Sequence, residues 1–113
     1  MAIKSGVPII EGVFVEDTLQ TIFTVIDEFA RTRVDNIVFN NITGIAVSLT
    51  VQIIESGGSQ GDDKIIVDNV DIPAFGTLEP SRLLQGLNRG DTIQAIAGTV
   101  SSINVRATGT TFS

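Results

Sequence analysis

The clearest pattern in the chain is the alternation of aliphatic and smaller or polar positions across residues 45–54. Successive side chains of a β-strand point to opposite faces, whereas a helix would scatter these aliphatic residues around its axis. The pattern therefore predicts a strand with one buried face and one more polar face. The aliphatic residues at every second position are Ile45, Val47, Leu49, Val51 and Ile53.

Turn-forming residues lie on both sides of this strand. The sequence Asn-Asn-Ile-Thr-Gly covers positions 40–44, and a Ser- and Gly-rich run covers positions 56–61. Asn and Gly tolerate positive φ angles, and Asn and Ser side chains bond back to the local backbone. Residues 33–40 also alternate, so we predict a β-hairpin formed by residues 33–40 and 45–54.

Residues 19–30 fit two patterns. Their apolar positions have helical spacing, which would give an amphipathic helix with charged residues on its outer side. The run at residues 21–26, however, is almost entirely β-branched or aromatic, and such residues are enriched in strands. We favour a strand over residues 19–26 followed by a turn through residues 27–32, with the helix as the alternative.

Short β-branched segments with turn signals between them recur at intervals of roughly ten residues. This spacing predicts an all-β fold, an antiparallel β-sandwich of jelly-roll or Ig-like type with about seven to eight short strands. No helical pattern alternates with the strands, which argues against βαβ units. We expect residues 1–10 to form an N-terminal arm and residues 11–113 to form a single β-sandwich domain.

Composition indicates a surface that is covered by partners. Charged residues make up 18% of the 113 residues, below the roughly 25% of typical soluble domains, and the mean hydropathy is +0.34. A small domain of this kind has apolar surface to bury in an oligomer or a capsid-like lattice. The net charge of −6 argues against nucleic-acid binding, and no apolar run approaches the roughly 20 residues of a membrane helix.

Catalysis has few side chains to work with, because the chain contains no His, Cys, Tyr or Trp. Acid–base chemistry would fall to carboxylates and to two lysines. The pairs Glu11/Glu16 and Asp62/Asp63 could in principle perform glycoside chemistry. We interpret them as solvated charges of turns and edges, and predict that the chain is not an enzyme and has no catalytic residues.

Four aspartates could offer oxygen ligands to Ca²⁺, although their spacing is not that of an EF-hand. We interpret them as loop acids and predict neither a metal site nor a cofactor. The four are Asp62, Asp63, Asp68 and Asp71.

Two short motifs and the aromatic residues are the remaining candidate functional features of the sequence. Arg89-Gly90-Asp91 spells an integrin-type tripeptide, but its position before a strand favours a turn. Asn41-Ile42-Thr43 would be a glycosylation acceptor only in a secreted protein, and we see no secretory signal. All six aromatic residues are phenylalanines, most of which we expect in the core.

Five segments together resemble small virion proteins of tailed bacteriophages. In those proteins a strand ending in Asn-Asn-Thr leads into an alternating strand, and a late Leu-x-x-Gly-Asp-x-Ile-x-Ala enters the penultimate strand. The segments here are Thr21-Ile22-Phe23-Thr24, residues 33–41, residues 45–54, Ile72-Pro73-Ala74 and residues 87–95.

The resemblance implies a β-sandwich structural subunit of a phage particle. A capsid decoration (cement) protein would bind the major capsid protein or other virion proteins and associate with copies of itself. It would be found in the virion after assembly in the host cytoplasm. The alternatives are a neck or tail component, or a host-glycan binding module of a tail fibre. No catalytic residues come with the resemblance.

Overall fold

The computed structural model describes residues 3–25, 31–58, 61 and 64–112. Among these residues no helix has the length and apolarity needed to cross a lipid bilayer. One 3-10 turn has described bounds, Ser81–Leu83. The nine described strands are β1 (Ile3–Val15), β2 (Gln20–Thr24), β3 (Arg31–Asn41), β4 (Val47–Ile54), β5 (Ile65–Ile72), β6 (Thr77–Leu78), β7 (Gly86–Asn88), β8 (Thr92–Ala97) and β9 (Ile103–Phe112).

The strands form two antiparallel sheets. Sheet I has the order β1-β9-β3-β6, with β7 also paired to β3, and sheet II has the order β2-β8-β4-β5. The pairing is nested, because β1 pairs with β9, β2 with β8, β3 with β7 and β6, and β4 with β5. An antiparallel ribbon folded over in this way is a jelly roll.

The predicted β-sandwich is confirmed, and of the two predicted types the topology is that of the jelly roll. There is one strand more than predicted because β6 and β7, each only two or three residues long, pair with different parts of β3.

The core lies between the two sheets and is built from the inward faces of their strands. In β4, Val47, Leu49 and Val51 are at most 2% exposed, as the alternation predicts. Burying one such aliphatic side chain stabilises the fold by about 1.5–3 kcal/mol. The strand begins later than predicted, because Ile45 belongs to the preceding connection and is 60% exposed.

The predicted hairpin of residues 33–40 and 45–54 is wrong. β3 belongs to sheet I and β4 to sheet II, so the connection at residues 42–46 crosses between sheets. β4 instead forms a hairpin with β5. Alternation determines which side chains are buried but not which strand is the neighbour, and an Asn/Gly turn reverses the chain equally well in both cases.

Two further predictions concern the first thirty residues. β2 at Gln20–Thr24 confirms the strand that we favoured over a helix, whereas residues 26–30 lie outside the described part. β1 runs from Ile3 to Val15 and pairs with β9 along most of its length, so it passes through the expected boundary at residue 10. The division into an arm and a domain stays a prediction.

Candidate interaction surface

Four connections form one end of the sandwich. They lie between β1 and β2, β3 and β4, β5 and β6, and β8 and β9, where the strands of both sheets start or stop together. We call this the Asn41 end, after the buried side chain that joins two of its connections. It comprises residues 16–19, 42–46, 73–76 and 98–102.

The side chain of Asn41 is only 1% exposed and uses both of its polar atoms. Its Nδ2 donates to the carbonyl oxygens of Ile45 at 2.7 Å, Ile72 at 3.0 Å and Pro73 at 3.2 Å. Its Oδ1 accepts from the backbone N–H and the hydroxyl of Thr43, at 2.9 and 2.7 Å. Asn41 therefore ties the β3–β4 connection to the end of β5. An amide buried in this way is not presented for glycosylation.

Backbone hydrogen bonds hold a third connection, the one between β8 and β9, beside the β3–β4 connection. The N–H of Phe75 donates to the carbonyl of Thr43 at 3.0 Å. The N–H of Ile42 donates to the carbonyl of Ser102, also at 3.0 Å. The β3–β4 connection thus lies between the β5–β6 and β8–β9 connections and is bonded to both.

The tips of these three connections are apolar and exposed. Phe75 is 72% exposed, Ile45 60%, and Ile42 and Val100 are each 47% exposed. Single exposed apolar residues are ordinary on a protein surface, but a group of them at one place is not.

The expectation that most phenylalanines are core residues is wrong for the described part of the chain. Phe39 is fully buried and Phe23 packs against the core. Phe14 is 38% exposed, and Phe112 is half-buried with the guanidinium carbon of Arg31 4.7 Å from its ring centre. Phe29 lies outside the described residues.

Phe75 also has an unusual backbone conformation. Its φ is +55°, within a tight turn that is closed by a 2.8 Å hydrogen bond from the N–H of Gly76 to the carbonyl of Pro73. The third position of such a turn is normally Gly or Asn, because a bulky side chain clashes with the backbone in this region.

The charged side chains of the Asn41 end are all acidic. Glu16 and Asp17 lie in the β1–β2 connection, and Asp71 lies beside the end on β5. None of the four connections contains Lys or Arg. The apolar tips are therefore accompanied by negative charge only.

The opposite end, which we call the Asp91 end, is also joined by one buried polar side chain. The carboxylate of Asp91, 8% exposed, accepts from the backbone N–H of Ser56 at 3.0 Å and of Asn88 at 2.8 Å. Its backbone carbonyl accepts from the N–H of Val25 at 3.0 Å. The carboxylate of Arg89-Gly90-Asp91 thus accepts hydrogen bonds inside the fold, which agrees with the turn interpretation.

The remaining carboxylate candidates for catalysis or metal binding lie on different parts of the structure. Glu11 lies on the outer face of sheet I opposite Arg106, whereas Glu16 lies in the Asn41 end. Asp68 and Asp71 are exposed on β5. Among the residues that the structure describes, no three His, Cys, Asp or Glu side chains are grouped to hold a metal ion. The predicted candidates Asp62 and Asp63 lie outside those residues.

One polar network was not predicted from the sequence. On the outer face of sheet I, Asp35 accepts from the hydroxyl of Thr110 at 2.6 Å and from Nε of Arg33 at 2.7 Å. The hydrogen bond from Thr110, followed by that from Arg33, lowers the pKa of the Asp35 carboxyl. Thr110 is 75 residues away in the chain, so no local signal could indicate this contact.

No family model and no curated protein sequence matches the chain. Among solved structures, it is similar to chains in structures of infectious bursal disease virus. A chain of the Gx strain is 11% identical with a TM-score of 0.41, and the match covers 97% of this chain and 30% of that one. A chain of the Gt strain is 12% identical with a TM-score of 0.34, covering 97% and 32%.

The crystal structure of the VP2 subviral particle of the same virus is also similar. Its chain is 12% identical with a TM-score of 0.34, and the match covers 98% of this chain and 32% of that one. The chain described here therefore spans about a third of the length of each of these three proteins.

Proposed function

We propose that this chain is a non-enzymatic structural protein of a tailed-bacteriophage particle. In this role it is a capsid decoration (cement) protein, which binds the major capsid protein and associates with copies of itself. It is assembled onto the particle in the host cytoplasm and has no nucleic-acid or membrane partner. The observation that carries the proposal is the group of exposed apolar residues at the Asn41 end of a small, weakly charged sandwich.

Two properties of the chain support a role in assembly over one in chemistry. The residue types present leave only carboxylates and lysines for acid–base work, and the described carboxylates are dispersed over the surface or engaged in the fold. The sequence segments that resemble tailed-phage virion proteins also extend over most of the strands, including β3, β4 and β8.

Sheet II offers a surface for self-association. Its two central strands, β4 and β8, present only uncharged side chains on the outer face, among them Ser48, Thr50 and Ile96. A second copy can pack on these uncharged strands, while the acidic residues Asp71, opposite Ser48 on β5, and Asp17 lie at the margin of the face. Symmetric contacts between copies are the rule for assemblies of this kind.

Mass spectrometry and cryo-microscopy of purified particles of the phage that encodes the chain test this role. The expected result is many copies on the capsid surface. A chain that is absent from purified particles and monomeric in solution would contradict the proposal. Density in the neck or tail in place of the capsid would assign it to the alternative position.

Self-association is tested separately by sedimentation velocity of the purified chain. We expect Ile96→Lys, on the outer face of sheet II, to shift the population toward monomer. The matched control, Thr108→Lys, places the same charge on the outer face of sheet I and is expected to leave the distribution unchanged. Equal behaviour of the two variants would exclude sheet II as the contact.

A host-glycan binding module of a tail fibre is the second hypothesis. Glycan sites favour aromatic faces that carry a polar group, which Trp and Tyr provide. The chain has neither, and its most exposed described aromatic residue, Phe75, offers only an apolar ring. Binding on a glycan array would be needed to favour this hypothesis over the structural role.

A further inference from the structure

We propose that the Asn41 end is a docking surface for a protein whose own surface combines an apolar hollow with neighbouring Lys or Arg side chains. This inference extends the proposed function and rests on it only in taking that protein to be part of the particle. The surface and the chemistry of its partner follow from the residues of the Asn41 end.

The apolar centre of the surface consists of four side chains from three adjoining connections. Phe75 is the most exposed of them, with Ile42 and Ile45 in the connection that is bonded to its own and Val100 in the next. Aromatic residues in the centre of an interface carry a disproportionate share of binding energy when they enter an apolar pocket. Phe75 is therefore the expected anchor of the contact.

The backbone of Phe75 points to the same conclusion. A residue other than glycine with left-handed φ costs about 1–2 kcal/mol relative to its usual conformations. The turn at residues 73–76 would be more stable with Gly or Asn at position 75, and the exposed ring adds little to the core. Strain of this kind persists where a side chain has a role outside the fold.

The surface is held in place before any partner binds. Asn41 fixes the β3–β4 connection to the end of β5 through its buried amide. The backbone bonds of Phe75 and Ile42 then lock the three connections together. Binding to such a preformed surface loses less conformational entropy than binding to mobile loops.

The negative charge of the Asn41 end determines which kind of partner can bind there. Glu16, Asp17 and Asp71 accompany the apolar tips, and no cation is present in the four connections. A second copy that docks through the same end would bring like charges together, and an anionic lipid surface or a nucleic acid would be repelled. A protein surface with Lys or Arg beside an apolar hollow is the complement.

A random peptide display library, selected against the immobilised full chain, provides the test. We expect enriched peptides to combine aromatic or large aliphatic residues with Lys or Arg. The affinity of one selected peptide is then measured by fluorescence anisotropy. Phe75→Asn is expected to weaken it about thirtyfold or more, the size of effect typical of an anchor residue. The control Leu84→Asn changes another exposed apolar residue, outside the Asn41 end, and is expected to leave the affinity unchanged.

A second variant tests the charge of the surface. We expect the double change Glu16→Gln and Asp17→Asn to weaken peptide binding about threefold at low salt and to reduce its dependence on salt. Because both residues are exposed, the fold is expected to be unaffected.

Several results would overturn the inference. These are a selection that enriches no peptide or mainly acidic ones, an affinity that Phe75→Asn leaves unchanged, and self-association through Phe75 in sedimentation velocity. The last would assign the surface to a second copy. This experiment uses no phage particle, so its outcome is independent of the proposed function. A chain that is absent from virions but binds these peptides through Phe75 would contradict the proposed function and support the docking surface.

Discussion

The two ends of this sandwich are each joined by one buried polar side chain, but the two side chains face opposite hydrogen-bonding groups. At one end, the Nδ2 of Asn41 donates to three backbone carbonyls. At the other, the carboxylate of Asp91 accepts from two backbone N–H groups. Asn and Asp have nearly the same shape, yet neither can replace the other, because a carboxylate cannot donate and an amide nitrogen cannot accept.

The two ends also differ in the side chains that they expose to solvent. The described residues of the two connections that the Asp91 carboxylate joins, 55–58 and 89–91, include no large apolar residue. The Asn41 end exposes four such residues. Among the described residues of the two Asp91 connections, the hydrogen bonds of the Asp91 carboxylate are made without a large apolar side chain beside them. The four exposed apolar residues of the Asn41 end are the feature on which we base the docking proposal.

The largest effect is expected from Asn41→Asp. The change places a carboxylate against three carbonyl oxygens in a buried site and removes all the hydrogen bonds that Nδ2 donates. We expect the free energy of unfolding, measured by urea denaturation at pH 7, to fall by about 3 kcal/mol. Asn40→Asp, the same change at the exposed neighbouring position, is the control and should cost less than about 0.5 kcal/mol. Equal effects of the two changes would mean that Asn41 does not hold this end together.

The reverse exchange, Asp91→Asn, is expected to be somewhat milder. One of the two backbone N–H groups would lose its acceptor and face an amide N–H₂ group. We expect a loss of about 2 kcal/mol in the same urea experiment. Asp71→Asn, an exposed aspartate on β5, serves as the matched control. A stability unchanged from the original chain would show that the Ser56 and Asn88 N–H groups do not depend on this carboxylate.

Phe75→Asn is expected to have opposite effects on the stability of the fold and on peptide binding at the Asn41 end. Asn tolerates left-handed φ better than Phe, so we expect the variant to be about 0.5–1 kcal/mol more stable while it binds peptides less well. Phe14→Asn, on an exposed strand position with ordinary φ, is expected to gain nothing. A loss of stability in Phe75→Asn would indicate that the ring supports the fold.

The smallest effect is expected away from both ends, at Asp35. Its pKa is lower in the folded chain than in the unfolded one, so its stabilising contribution is present above the unfolded pKa. That contribution is lost as the pH falls through the folded pKa. Thr110→Val removes the larger cause of the shift, and NMR titration should then find the pKa of Asp35 closer to 3.8. An unchanged titration would contradict this assignment, and the surface position limits any effect on stability.

Local patterns in the sequence predict strands well but not their neighbours. Alternation across residues 45–54 predicts β4, and the β-branched run at residues 21–26 predicts β2 better than helical spacing does. The choice of jelly roll over the Ig type depends on pairings such as β1 with β9, which join residues about a hundred positions apart. Burial of one face imposes the two-residue period of the apolar residues in a strand. The order in which the strands pair depends on the arrangement of the whole fold.

The candidate surface was accessible to sequence reasoning only in part. The partners of Asn41 on β5 and beyond, Ile72 and Pro73, are 31 and 32 residues away, so turn propensity alone cannot reveal the role of its side chain. The expectation that most phenylalanines lie in the core does not distinguish Phe75 from the other five. The Pro73-Ala74-Phe75-Gly76 sequence nevertheless contained a signal, since a residue between Pro and Gly belongs to a turn and turns lie on the surface.

The central place of β9 in sheet I has a consequence for how the chain folds. β9 pairs with both β1 and β3, and it comes after every other strand of the sandwich. During synthesis, sheet I cannot form until residues 103–112 have left the ribosome, although the β4–β5 hairpin needs only its own neighbourhood. High contact order of this kind gives folding times of milliseconds to seconds. Until β9 arrives, the edges of β1 and β3 with which it pairs are open, and open strand edges expose the nascent chain to aggregation.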